Sequence, residues 1–161
     1  MFALNSHSTG LPVLDAQSDF RRARRAYVMT RLTRRLRRRG FCGCLPALPS
    51  AAALAPGPTR LEVVKLSAIV GTLDSSPHFD SGFRPASNAV RRRWERIALA
   101  HRRGEALPPV ELRRQPDGYY VVDGRHRISV ARAMRLCDID AWVTGLPGHT
   151  KARGPASDSC A

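Results

Sequence analysis

The chain has 161 residues, with 27 lysines and arginines against 13 acids and a formal charge of +14. That length allows one compact domain with tails and excludes two sizeable cores. Apolar content of 43% is ordinary for a globular protein, and no run approaches the ~20 apolar residues that a membrane-crossing helix needs.

Lys65 and Lys151 are the only lysines, so the other 25 basic residues are arginines. Their planar forks suit phosphate and carboxylate. A cation this strong expects polyanionic company, whether nucleic acid, nucleotide or an anionic membrane surface. A coding bias toward Arg and Ala accounts for part of the excess. The cysteines are Cys42, Cys44, Cys137 and Cys160. Cys42-Gly-Cys44 lacks the two-residue gap of zinc knuckles, which suggests a reduced, cytosolic protein without a metal site. An arginine-led stretch, RRRGFCGCLPALPSAAALAP, has some features of an export signal. It starts late and is interrupted by Pro46 and Pro49, so export is not expected.

Along the chain, residues 1–19 show no periodicity and are expected to be a disordered tail. Residues 20–39, FRRARRAYVMTRLTRRLRRR, carry ten arginines and no acid. Val28, Met29, Leu32 and Leu36 recur at helical spacing, which predicts a basic amphipathic helix; a disordered arm is the alternative, because like charges at i and i+4 oppose a helix. Residues 40–59, rich in proline, glycine and alanine, read as a linker.

An ordered domain is predicted for 60–146, followed by a disordered tail at 147–161. LEVVKL reads as a strand, followed by SAIVG and an irregular stretch through FRPAS. Residues 88–103 form a predicted helix with Val90, Trp94, Ile97, Ala98 and His101 on one face; Ser87 caps its start and Gly104 its end. Arg92, Arg96 and Arg103 fill the opposite, solvated face. Val110–Arg113 and Tyr119–Asp123 are predicted to form a hairpin through Gln115–Gly118. A second helix then runs from Arg125 to about Leu136, and DIDAWVT is a half-buried strand. The expected fold is a small α/β (α+β) domain, a mixed sheet with two main helices.

The feature with chemical content is Asp123-Gly124-Arg125-His126-Arg127. Gly124 permits a sharp turn, and the first N–H groups of the following helix form an anion-binding mouth. Arginines at that helix end are unfavourable unless an anion meets them. Arg127 shares a helical face with Val130 and Met134, whereas Arg125, Ser129 and Arg132 make an outward stripe. His126 can donate to a bound oxyanion or act as acid or base. In the competing reading, Asp123 caps the helix and pairs with Arg127, closing the site with the protein's own carboxylate.

Residues 104–143 resemble the N-terminal domain of ParB partition proteins and the wider ParB/sulfiredoxin superfamily. Gly104–Pro109 is similar to that family's Gly-x-x-x-Pro-Pro approach to the central strand. Asp123–Arg127 lies where ParB proteins carry Gly-Glu-Arg-Arg, sulfiredoxins Gly-Cys-His-Arg, and a free-serine kinase Asp-Gly-His-Thr-Arg. The segment 79–110 also resembles short stand-alone actinobacterial ParB-like proteins. The resemblance implies a ParB/sulfiredoxin-like fold in which Gly124, Arg125, His126 and Arg127 hold nucleotide phosphate, with Arg84 as the upstream phosphate arginine. Arg125 stands in place of both the CTP-hydrolysing glutamate and the sulfiredoxin cysteine, so neither CTPase chemistry nor sulfinic-acid reduction carries over.

Three functions compete. The first is a phosphate- or nucleotide-binding module (CTP or ATP, with Mg2+ allowed), cytoplasmic and nucleoid-associated. Its arm would bind nucleic acid nonspecifically through Arg21, Arg22, Arg24, Arg25, Arg34, Arg35, Arg37, Arg38 and Arg39. The second is a phosphotransferase with Asp123 and His126 catalytic and a second carboxylate from Asp74, Asp80 or Glu62, with a nuclease as a weaker member of that class. The third is an adaptor on a membrane surface. A homodimer is compatible with each.

Overall fold

The computed structural model describes residues 9–36, 45, 47, 57–74 and 76–145. In chain order its elements are helix α1 (Pro12–Leu36), strands β1 (Thr59–Lys65) and β2 (Ile69–Thr72), helix α2 (Arg91–Arg102), strands β3 (Val110–Gln115) and β4 (Gly118–Asp123), helix α3 (Arg125–Ala133) and strand β5 (Asp138–Thr144). The sheet order is β1-β5-β3-β4-β2. The β1–β5 and β3–β4 pairs are antiparallel, and β5–β3 and β4–β2 are parallel. This is a small α+β fold with a mixed sheet, as expected. SAIVG supplies a strand of its own, β2, at the opposite end of the sheet from β1.

Strand alternation decides which sheet face is covered. Val110, Leu112, Val121, Ala141 and Val143 are fully or almost fully buried and point to one side. They meet Trp94 and Ala98 of α2 and Ile128, Val130 and Ala131 of α3 in one continuous core. Ser87 caps a 3-10 turn that leads into α2, and Gly104, in the left-handed region at φ +71°, closes the other end. The Trp94 indole donates to the Ser129 hydroxyl at 2.9 Å. Ser129 is therefore buried, contrary to the expected outward stripe. Arg132 also turns inward, stacking over Phe83 at 4.7 Å and donating to the carbonyls of Leu66 and Ile69.

The larger departure is α1. It begins at Pro12, inside the segment expected to be a tail, and packs on α2 as part of the domain. Ala16, Phe20 and Ala23, at i, i+4 and i+7, are its buried seam, and Phe20 meets Trp94 edge-on at 5.5 Å. The seam predicted from Val28, Met29, Leu32 and Leu36 is exposed instead. Two buried carboxylates, Asp15 and Asp19, flank the true seam and interrupt its apolar pattern. Arg102 of α2 meets both: it lies 2.6 Å from Asp19 and 3.7 Å from Asp15. Charge pairing between helices, invisible to periodicity, fixes where α1 docks.

Cys137 is disulfide-bonded, which corrects the expectation of a fully reduced chain. Cys42, Cys44 and Cys160, the only cysteines able to pair with it within the chain, lie outside the described residues, as do Arg37, Arg38, Arg39, most of the predicted linker and the predicted C-terminal tail. Among the described residues, no helix is long and apolar enough to cross a membrane.

Candidate functional site

The site is built where β4 hands over to α3. Gly124 sits between them at φ +103°, and a Cβ there would lie 2.6 Å from Val110 Cγ1. Only glycine fits at this tight crossing between β4 and α3. No side chain caps that start, and its first turn holds no acid. Asp123 therefore does not act as the cap. The leading N–H groups of α3 thus keep the partial positive charge of an open helix end.

The three basic residues separate into different roles. Arg127 turns back to the loop before β3: its guanidinium bonds the carbonyls of Pro108 and Pro109 and lies 2.6 Å from the Asp123 carboxylate. This half of the competing reading is realised. Arg127 is a latch that ties α3 to the Pro-Pro segment, with its charge already answered. On its far flank a cleft of about 250 Å³ is lined by Leu107, Pro108, Val130, Leu136 and Ile139 among others; Arg125 and His126 do not reach it.

Arg125 points toward the end of β2, where its guanidinium reaches the Asp74 carbonyl at 3.2 Å and the Thr72 hydroxyl at 3.5 Å. Neither partner carries charge, so its cation is unneutralised by these contacts. His126 packs edge-on against the buried ring of Phe79, with centroids 5.1 Å apart. Burial pushes its pKa down from 6.5 to about 4, and the positive charges of Arg93 and Arg125 push the same way. Asp123 opposes the shift, and His78 adds to it. The imidazole is neutral at pH 7, under the influence of the Arg93 and Arg125 cations.

That shift fixes a sign. The unfolded chain takes up the His126 proton near pH 6.5 and the folded chain only near pH 4. The stability contributed by neutral His126 is therefore lost as pH falls through that window. A bound anion reverses the electrostatics and raises the folded-state value. Histidine NMR titration is expected to show one imidazole near pH 4 that moves upward when phosphate is added. A resonance unmoved by phosphate, or one near 6.5 at the outset, would contradict the assignment.

The remaining candidates lie elsewhere. Arg84, expected at the phosphate, instead reaches the Thr30 hydroxyl of α1 at 3.0 Å and Asp80 at 3.4 Å. Asp80 is buried and accepts the backbone N–H groups of Gly82 and Arg84, so it organises a turn. Glu62 pairs with Arg114. Of the three proposed second carboxylates, Asp74 is the one whose backbone touches Arg125. On α1, Arg21 and Arg25 are exposed, Arg22 pairs with Asp19, and Arg24 lies over Tyr27. Arg34 and Arg35 lie within the helix, but their side chains are outside the described set.

No family model matches the chain, and no curated protein or solved structure matches it.

Two residues that act electrostatically on His126, Arg93 and His78, carry no distinguishing signal in the sequence. Arg93 merely continues the arginine run that opens α2. His78 lies in an irregular stretch that only the return of residues 76–80 across α3 brings to His126. Among the described residues, no group of three or more His, Cys, Asp or Glu side chains is placed to hold a metal ion.

Proposed function

We propose that this protein contains a ParB-like domain that binds a phosphate group, free or on a nucleotide, at the N-terminus of α3, and that it associates with nucleic acid in the manner of chromosome-partition proteins. The observation that carries this reading is the uncapped start of α3 with Arg125 and His126 on its first turn, where the Arg93 and Arg125 cations help to keep His126 neutral. Positive potential converges there, and among these groups only Asp123, already paired with Arg127, opposes it. Arg125 and the helix N–H groups are the binding elements, with Gly124 allowing close approach; His126 is a neutral donor. CTP or ATP fits the reading, and Mg2+ would be held mainly by the nucleotide's phosphates, as that ion prefers. A cytoplasmic, nucleoid-associated location is part of this reading, and the Cys137 disulfide, a bond rare in that compartment, counts against it.

Two measurements test it. Calorimetric titration with phosphate, CTP and ATP should give binding that Arg125→Ala weakens at least about tenfold, the loss expected for a charge-assisted contact. Absence of binding by all three would remove the reading. On duplex DNA, the triple variant Arg21→Gln/Arg25→Gln/Arg31→Gln should make the salt dependence shallower, by about 0.9 in log–log slope for each phosphate no longer neutralised. Deleting α1 would be uninformative because Ala16, Phe20 and Ala23 belong to the core. An unchanged slope would dissociate α1 from nucleic acid.

A phosphotransferase is the second reading, favoured by one observation: the Asp123 carboxylate beside α3 is more than half exposed, and the Asp74 backbone meets Arg125. In that reading Asp123, released from Arg127, is the base, and His126 and Arg125 meet the transferred phosphate. Nucleotide turnover lost in Asp123→Ala would support it.

A further inference from the structure

β1 closes one end of the sheet and pairs only with β5 among the named strands. The opposite end is covered in part, because Ala47 forms a bridge to Thr72 of β2. Along β1, Val64 alone is buried; Leu61 and Val63 are 56% and 69% exposed. Leu61 stands directly opposite Trp142 of β5, itself 44% exposed. The β1–β5 register runs without a bulge for seven residues, and β1 contains no proline. Isolated edges are normally blunted by bulges, prolines, shortness or charged side chains; β1 has only the last, in Arg60, Glu62 and Lys65, and those charges are of both signs.

We propose that β1 is an interface between two copies of this chain, joined antiparallel across a two-fold axis at Leu61. Side chains alternate faces along a strand, so a two-fold normal to the sheet must pass through a residue that faces itself. An axis at Arg60 sets arginine against arginine, and one at Glu62 sets glutamate against glutamate. An axis at Val63 leaves Arg60, Glu62 and Lys65 without opposite charges. At Leu61, Arg60 faces Glu62 of the second copy, and Glu62 faces its Arg60. Glu62 already pairs with Arg114, which reaches it from β3 on the same face of the sheet, so the pairing extends an existing charge row. On the other face, Leu61 meets its counterpart and Trp142 flanks each of them, in one unbroken apolar row across the axis. The strand is thus complementary to itself in charge and in apolar placement at one register. This interface does not depend on what α3 binds.

Sedimentation equilibrium of the full chain should show a concentration-dependent dimer. Leu61→Arg places two like charges on the axis and should weaken association at least about tenfold. Arg60→Glu and Glu62→Arg should each weaken it when alone, since each then faces like charge. An equimolar mixture of those two chains restores both opposite pairs and should recover the dimer. Circular dichroism checks that each variant stays folded, and the exposed Arg60 and Leu61 sites keep the test open if Glu62→Arg does not. A parent chain that sediments as a monomer throughout would overturn the proposal. So would a dimer unaffected by Leu61→Arg and Arg60→Glu, or a mixture that associates no better than its components.

Discussion

Replacing Arg102 with alanine is expected to destabilise the protein by about 3–5 kcal/mol, the range for removing one partner of a buried ion pair. Arg102 is the cation that reaches both Asp15 and Asp19, and each of these carboxylates is about 2% exposed or less. Without it, Asp19 keeps Arg22 and Asp15 keeps the hydroxyl and N–H of Thr9. Neither replacement restores the bond from α2, so α1 loses its polar anchor while still burying two acids. Urea denaturation followed by far-UV circular dichroism reads the loss. A red shift of Trp94 emission should accompany it, because Phe20 leaves the indole when α1 undocks. Arg102→Lys keeps the charge but not the fork and should fall between the two. A variant within about 0.5 kcal/mol of the parent, the scatter of ordinary surface substitutions, would show that α1 does not depend on this pair.

Gly124→Ala is the second large effect. Its φ of +103° is a region that L side chains rarely adopt, and the new methyl would meet Val110 Cγ1 at 2.6 Å and Cβ at 2.8 Å. Val110 is fully buried in the sheet core and has no free space to move into. Backbone strain and overpacking together should cost about 2–5 kcal/mol. Because Gly124 also sets the direction of α3, phosphate affinity should fall more than in variants of equal stability elsewhere. Denaturation midpoints and calorimetry on the same preparation separate the two effects. Unchanged stability with unchanged affinity would mean that the β4–α3 turn is softer than its contacts imply.

These two positions mark how differently the sequence speaks about different parts of the chain. The β4–α3 turn is legible because its signals are local: alternation through Tyr119–Asp123, a glycine at the junction, then helical spacing with no acid in the first turn. The hairpin, α2 and β5 are legible for the same reason. α1 is misjudged because its buried seam contains two aspartates, and a buried aspartate reads as solvated until its arginine, 83 residues away in Arg102, is known. The site is similarly divided. Asp123 and Arg127 adjoin at i and i+4, so their pairing can be foreseen as an alternative; deciding it requires the Pro108 and Pro109 carbonyls that complete the guanidinium's contacts. Arg125 and Arg127 are chemically identical and two residues apart, yet one reaches the end of β2 and the other latches onto the loop before β3.

The α+β class, the strand–glycine–helix junction and the strong positive charge are properties of the sequence alone, because propensity, periodicity and composition act over a few residues. It takes the packed molecule to establish that α1 is part of the core, that Arg84 and Arg132 are engaged away from the mouth, and that His126 packs on Phe79 within the electrostatic reach of Arg93. Those outcomes depend on which distant groups desolvate one another, and burial and Coulombic pairing are set by proximity in space rather than by order along the chain.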